Sequence, residues 1–90
     1  MIYQLQFSAQ ADKDITSLKK ADAQAYKKLA KILLELSEHP YTGTGKPKQM
    51  KYNYSGCFSR RITKQHRLVY SVDEGKISVL VLSASGHCND

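Results

Sequence analysis

Ninety residues, of which 41% are hydrophobic and 24% charged, are enough for one small globular domain, and a single domain over 1–90 is expected. No apolar run approaches the roughly 20 residues that a membrane span requires, and the first residues lack the pattern of a signal peptide. A cytoplasmic protein without membrane contact is therefore expected. Two cysteines, Cys57 and Cys88, are too few for a disulfide scaffold or a four-ligand zinc site.

The formal net charge of +6 is concentrated in one stretch of the chain. Residues 46–72 contain seven lysines and arginines and no aspartate or glutamate, whereas residues 1–45 carry +1 and residues 73–90 carry −2. A charge that served only solubility would be spread over the surface. The concentration therefore predicts a face that binds a polyanion.

The hydrophobic pattern changes its period along the chain, which predicts helices first and strands afterwards. Ser8 and Asp22 are expected helix caps, and Pro40 is an expected helix stop. The predicted elements are, in chain order, a strand over 2–7, helices over 9–20 and 23–38, and strands over 50–54, 57–63, 67–73 and 76–83. Because short turns join the last strands, those strands should be antiparallel neighbours. We expect an α+β fold of order β-α-α-β-β-β-β, with two N-terminal helices packed on a twisted antiparallel sheet.

The last hairpin has a definite register if Glu74-Gly75 is a two-residue turn. Residue 73 then pairs with 76, and residue 70 pairs with 79. The predicted core face, beneath the helices, consists of Leu68, Tyr70, Val72, Ile77, Val79 and Val81. A slip of one residue would exchange the two faces.

Basic and aromatic side chains alternate in the charged segment. The candidate site consists of Lys48, Lys51, Arg60, Arg61, Arg67 and His87, interleaved with Tyr52 and Tyr54. Cations for phosphates and rings for bases are typical of a surface for single-stranded nucleic acid, and a basic sheet edge that resists aggregation is the alternative. No cluster of His, Cys, Asp or Glu has metal-ligand spacing, so neither a metal nor another cofactor is expected.

Three strings in this part of the chain carry a family resemblance. They read G-T-G-K-P-K-Q-M-K at 43–51, N-x-S-G-x-x-S-R-R-I-T at 53–63 and H-R-L-V-Y at 66–70. This pattern resembles the YoeB/Txe family of toxins of toxin–antitoxin systems, which belongs to the RelE/ParE superfamily. The similarity is dense over residues 40–72 and looser through the helices and the C-terminal histidine. The fold of that family agrees with the predicted elements.

The resemblance implies ribosome-dependent cleavage of mRNA in the A site, through attack of the RNA 2′-OH on the adjacent phosphate and without a metal ion. Such a reaction needs a base near the 2′-OH, cations for the transition state and an acid for the departing 5′-oxygen. Matched by position, Arg67 and Arg61 stabilise the phosphate and His87 is the general acid. Further substrate contacts are predicted at Lys46, Lys51, Arg60 and Cys88.

Two positions depart from the family pattern. Lys48 stands where YoeB-type proteins have a glutamate that serves as the general base, and Cys88 stands where they have a tyrosine. A lysine amine acts as a base only where its pKa lies well below about 10.4, and neighbouring cations act in that direction. The alternatives are Lys48 as the base, a RelE-like basic arrangement without a carboxylate, and a non-cleaving relative that binds the ribosome or RNA. A further, less favoured hypothesis is that the protein is a ParE-like inhibitor of DNA gyrase.

The resemblance also implies partners. A cognate YefM-like antitoxin, partly disordered and acidic, is expected to bind the basic segment. The ribosome and mRNA are the expected targets, and a homodimer is left open.

Overall fold

Two helices cover one side of a five-stranded sheet. The structure is a computed structural model that describes residues 2–45, 47–50 and 56–84. Its elements are β1 (Gln4–Phe7), α1 (Ala9–Ala21), α2 (Ala23–Glu38), β2 (Lys48–Gln49), β3 (Cys57–Arg61), β4 (Arg67–Asp73) and β5 (Ser78–Ser83). The predicted α+β class with two N-terminal helices is confirmed. No helix within the described ranges is long and apolar enough to cross a membrane.

Both helices begin at the caps that the sequence predicts. The Ser8 hydroxyl accepts a hydrogen bond from the Ala11 N–H at 3.0 Å, and the Asp22 carboxylate accepts one from the Ala25 N–H at 3.1 Å. These side chains satisfy N–H groups of the first helical turn that have no partner within the helix. Because Asp22 also ends α1, a single residue joins the two helices.

The core lies between α2 and the middle of the sheet. α2 contributes apolar residues three or four positions apart, which form one face of a helix. The residues in this layer are Ala25, Leu29, Ile32 and Leu36 from α2, and Leu68, Tyr70, Val79 and Val81 from the sheet. Removal of each larger side chain from water contributes about 1.5–3 kcal/mol to stability.

The sheet is mixed rather than wholly antiparallel. Its strand order is β1-β5-β4-β3-β2, and the four C-terminal strands pair antiparallel with one another, as their short connections predict. β1 instead lies parallel to β5. Many residues separate β1 from β5, and a long connection permits a parallel pair.

The register of the last hairpin differs from the prediction by two residues. Asp73 pairs with Ser78 and Tyr70 with Val81, since residues 74–77 form the turn in place of two residues. Ile77 belongs to this turn, at a φ of 50°. Because side chains alternate with a period of two, a shift of two leaves each strand residue on its predicted face. The core face is therefore right for Leu68, Tyr70, Val72, Val79 and Val81 and wrong for Ile77, even though the pairing is wrong throughout.

The segment before β3 is described only in part. The structure has a two-residue strand at Lys48–Gln49, followed by a buried Met50. The rest of the strand predicted over 50–54, with Tyr52 and Tyr54, lies outside the described residues.

Candidate nucleic-acid interface

A cleft of about 370 Å³ lies where β2, β3 and β4 approach the loop that follows α2. We call it the cation cleft. Its lining residues are Lys28, Gly45, Lys48, Ser59, Arg61 and Arg67. Among the described residues, the lining provides four cationic side chains and no acidic one, so an anion would be attracted into it.

Strand pairing brings three of the predicted site residues together. Lys48 on β2 lies opposite Ser59 on β3, and Arg61 on β3 lies opposite Arg67 on β4. Residues two apart on a strand share a face, so Ser59 and Arg61 point the same way. Arg60, which lies between them on β3, points to the opposite side of the strand, towards the core.

Arg61 and Arg67 form a cross-strand pair of like charge. Directly opposite residues have Cβ atoms about 4.5–5.5 Å apart, and like charges in this arrangement destabilise a sheet. A bound anion between the two guanidinium groups would remove that cost, since arginine recognises phosphate through paired hydrogen bonds. The pair is therefore suited to hold a phosphate.

Gly45 forms a wall of the cation cleft that no larger residue fits. Its φ is +86°, a conformation that favours glycine, and its carbonyl accepts a hydrogen bond from the Arg61 N–H at 2.8 Å. A Cβ built on Gly45 would lie 2.6 Å from the carbonyl oxygen of Arg61. The loop therefore contacts the backbone of β3 directly and closes the cleft beside Arg61.

Lys28 is a lining residue that the sequence analysis missed. Lys28 is half-buried and lines the cleft from the helix layer. Its position in the sequence could have indicated this, because Lys28 lies three residues after the buried Ala25 and four before the buried Ile32, at the border of the apolar face of α2.

Arg60 does not reach the cation cleft, and the prediction that it contacts substrate is corrected here. Its side chain is fully buried on the core face of β3. Its Nη1 pairs with Glu35 at 2.9 Å, and its Nε donates to the Tyr70 hydroxyl at 3.2 Å. Phe58 and Ile62, two positions to either side, belong to the core or pack against it. That apolar alternation was the sequence signal for an inward-facing Arg60.

Glu35 is held ionised in this internal contact. Burial opposes its ionisation, but hydrogen bonds from Thr44 and the charges of Arg60 and Lys31 outweigh burial, so the pKa of the carboxyl is lowered. The Thr44 N–H and hydroxyl donate to the two carboxylate oxygens at 2.7 and 2.6 Å. One of the seven cations in the basic segment is thus neutralised inside the protein.

Several predicted site residues lie outside the described residues. They are His87, Cys88, Lys46, Lys51, Tyr52 and Tyr54. In the part of the chain that is described, no three His, Cys, Asp or Glu side chains converge on a possible metal site. Cys57 is a free thiol in the described part of the chain. Burial raises the pKa of this thiol, which makes it a poor nucleophile.

The fold and the cation cleft together define a small α+β domain with a cluster of cationic side chains on its sheet. A family model described as "YoeB-like toxin of bacterial type II toxin-antitoxin system" matches residues 7–87. Toxin YoeB of Escherichia coli O6:H1 is 41% identical over 58 residues, which make up 64% of this chain and 69% of that protein.

Two solved structures from Staphylococcus aureus are similar over nearly the whole chain. A YoeB-YefM complex contains a chain with 31% identity and a TM-score of 0.81, with 98% of this chain and 100% of that chain covered. A YoeB dimer gives 32% identity and a TM-score of 0.84 at the same coverage. This chain belongs to the family of YoeB-like toxins of type II toxin–antitoxin systems, and the resemblance found in the sequence is confirmed.

Proposed function

We propose that this protein is a ribosome-dependent endoribonuclease that cleaves mRNA in the A site and thereby inhibits translation. The observation that carries the proposal is the opposed pair Arg61 and Arg67 in a cleft whose described lining residues include no acidic side chain. The YoeB/RelE toxin family, whose members are generally endoribonucleases, supports the same reaction. A ribosomal target also implies a cytoplasmic location.

The proposed reaction is an internal transfer at phosphorus. A base removes the proton of the RNA 2′-OH, the 2′-oxygen forms a bond to the adjacent phosphorus, and the bond from phosphorus to the 5′-oxygen breaks. An acid protonates the departing 5′-oxygen, which leaves a 2′,3′-cyclic phosphate and a free 5′-OH. Arg61 and Arg67 stabilise the negative charge of the transition state, and His87 is the proposed acid.

Lys48 is the proposed base. It lines the cation cleft opposite Ser59, on the side where the loop enters the sheet. In its neutral form its amine accepts the 2′-OH proton, and in its protonated form it adds a further cation for the phosphate. A basic site of this kind corresponds to the RelE-like arrangement considered from the sequence.

The proposed chemistry needs no metal ion. The described lining residues carry ammonium, guanidinium and hydroxyl groups, which are cations or poor metal ligands in place of the carboxylates that bind Mg²⁺. Lysine and arginine supply the charge compensation that metal ions supply in many nucleases. This assignment predicts cleavage in the presence of EDTA, at a concentration that leaves the ribosomes intact.

A non-cleaving ribosome-binding or RNA-binding toxin is the second candidate. One observation favours it: the described lining contains no carboxylate that could serve as the base. The same cations would still hold an RNA phosphate, so affinity for RNA does not distinguish the two candidates. Only cleavage does.

We also propose a cognate YefM-like antitoxin as partner. The Staphylococcus aureus neighbour was solved as a YoeB-YefM complex, and the cation cleft is suited to an acidic, partly disordered segment that folds on binding. A homodimer is proposed by analogy with the YoeB dimer of the same organism. Light scattering of the toxin, alone and with its antitoxin, measures both assemblies.

The deciding experiment is primer extension on mRNA bound to programmed 70S ribosomes. We expect new 5′ ends within the A-site codon for the wild type and a loss of about 100-fold or more for Arg67→Ala and His87→Ala. Lys27→Ala is the matched control, since Lys27 is exposed beside Lys28 on α2 and does not line the cleft. Lys48→Glu tests the base: faster cleavage would mean that lysine is a poor base, and slower cleavage would assign it a positive role.

Other outcomes separate the alternatives. Ribosome binding with intact mRNA would support the non-cleaving candidate and refute endonuclease activity. Inhibition of DNA supercoiling with intact mRNA would support a ParE-like action on gyrase instead.

A further inference from the structure

Arg60 joins one strand of the sheet to the loop that leads into the cation cleft. Its guanidinium Nη2 donates to the carbonyl oxygens of His39 and Thr42, at 2.5 and 2.8 Å. The Tyr70 hydroxyl, which accepts from Arg60 Nε, donates in turn to the carbonyl oxygen of Pro40 at 2.6 Å. Three carbonyl groups of the loop are thus held by one arginine and its tyrosine neighbour.

Glu35 holds the next part of the same loop. Its carboxylate binds Arg60 and accepts both hydrogen bonds of Thr44. Gly43, at a φ of +127°, packs against the ion pair: a Cβ there would collide with a Glu35 carboxylate oxygen and lie 3.0 Å from Arg60 Nη1. The loop from 39 to 44 is therefore wrapped around the Arg60–Glu35 pair.

The loop reaches the cation cleft one residue later. Gly45 lines the cleft, and its carbonyl accepts the Arg61 N–H. Arg60 and Arg61 are neighbours on β3, so the strand that carries the phosphate-binding arginine also carries the side chain that holds the loop beside it. The Arg60–Glu35 pair is thus linked to the cleft on two sides, through the peptide group between Thr44 and Gly45 and through the one between Arg60 and Arg61.

We propose that the Arg60–Glu35 pair is a positioning device that holds the Gly45 wall of the cation cleft against Arg61. The inference rests on the proposed function of that cleft, and neither residue touches the RNA. Arg60 and Glu35 are positioning residues, which act through the loop from 39 to 45.

Charge alone does not explain this pair. A buried ion pair often contributes no more stability than a well-packed apolar pair of similar volume. An apolar pair, however, cannot donate hydrogen bonds to the carbonyl groups of His39 and Thr42. Arg60 therefore has two roles. It compensates the charge of Glu35, which would not be needed if both residues were apolar. It also holds the loop by hydrogen bonds, which an apolar pair cannot form.

The test uses the double variant Arg60→Met/Glu35→Leu of the full chain, which removes both charges and retains the bulk. We expect its melting temperature to recover only part of what Arg60→Met alone loses, because the charge of Glu35 is gone but the loop carbonyl groups still lack their donor. A-site cleavage should stay about tenfold or more below the wild type. RNA affinity should stay within about twofold, because the four cations of the cleft are unchanged. Recovery of cleavage together with melting temperature would overturn the proposal.

A second measurement is independent of the ribosome assay. Amide hydrogen exchange at Arg61 reports whether Gly45 is still in place, and neither substitution alters that donor or its acceptor. We expect exchange at Arg61 to be about tenfold faster in the double variant, while the Ser8 amide, which donates to Val81 at 2.9 Å, keeps its protection. Unchanged exchange at Arg61 would refute the positioning role.

The two readouts separate the proposals. If the wild type does not cleave mRNA, the proposed function fails, and the Arg61 amide still decides whether the pair positions the loop. If the double variant does not fold, Arg60→Lys replaces it: a lysine keeps the ion pair with Glu35 but cannot reach Tyr70 and both carbonyl groups at once. Wild-type cleavage and wild-type exchange in Arg60→Lys would overturn the inference.

Discussion

Arg60 and Arg61 are adjacent residues of the same type on the same strand, and they lie in opposite environments. Arg60 is buried beneath the helices, with its guanidinium bonded to Glu35, Tyr70 and two backbone carbonyl groups. Arg61 is exposed in the cation cleft, opposite Arg67. The pleat of β3 produces this separation, since neighbouring side chains point to opposite faces.

The two regions use cationic charge in different ways. In the Arg60 region, acceptors inside the protein bind the guanidinium group, so this charge holds parts of the protein together. In the cation cleft, the described lining residues bring four cations together with no carboxylate among them, so the charge is available to attract an anion from outside the protein. A count of basic residues treats the two alike, whereas their surroundings give them separate roles.

The largest expected change in stability comes from a substitution in the internal region around Arg60. Arg60→Met should lower the free energy of unfolding by about 3–5 kcal/mol, because Glu35 loses its counter-ion and two loop carbonyl groups lose their donor. Arg61→Met is the matched control and should stay within about 0.5 kcal/mol, since that side chain is exposed. Urea denaturation of both variants measures the difference. Equal midpoints would contradict the internal role of Arg60.

A smaller effect is expected where the two regions meet. Gly45→Ala should cost about 2–4 kcal/mol, because the residue has a positive φ and a Cβ there would overlap the Arg61 carbonyl group. Gly56→Ala, with a φ of +89° and no described atom within 4 Å of its Cβ, should cost only about 1–2 kcal/mol. Thermal melting compares the two. A Gly56 variant as unstable as the Gly45 variant would mean that the close contact at Gly45 contributes nothing.

The cleft itself is tested through Lys28. Binding of a short single-stranded RNA should weaken in Lys28→Met, and the slope of log K against log salt should fall by about 0.7 if this lysine contacts one phosphate. Lys27→Met should leave the slope unchanged, because Lys27 is exposed outside the cleft. Fluorescence anisotropy over a salt series gives both slopes. A similar loss in the two variants would place the RNA elsewhere on α2.

The smallest expected effect concerns acid stability. The pKa of Glu35 is lower in the folded protein than its ordinary value of 4.5, so its ionised form stabilises the fold above that pH and the contribution is lost as the pH falls below it. The pKa of Glu74 is likewise lowered, through hydrogen bonds from Tyr41 and Tyr3, but this carboxylate is exposed and screened by solvent.

Denaturation midpoints over a pH series check this difference. Glu35→Gln should flatten the fall in stability below pH 4.5 more than Glu74→Gln does. A larger flattening in the Glu74 variant would mean that the surface cluster, rather than the internal pair, governs acid unfolding.

Local pattern predicted most of the fold. Ser8 and Asp22 cap the helices as expected, because a cap depends only on residues a few positions away. The register of the last hairpin was wrong because a four-residue turn containing Ile77 replaced the expected Glu74-Gly75 turn. Its core face was right because the error was an even number of residues. The parallel pairing of β1 with β5 had no local signal.

The sequence by itself determined the helices and strands, the location of the basic segment and the family to which the chain belongs. Only the tertiary structure decided which cations face the cleft: it added Lys28 from α2 and removed Arg60. The reason is that hydrophobic periodicity depends on residues close together in the sequence. The role of a charged side chain depends instead on the groups that folding brings into contact with it. For Arg60 that group is Glu35, 25 residues away in the sequence.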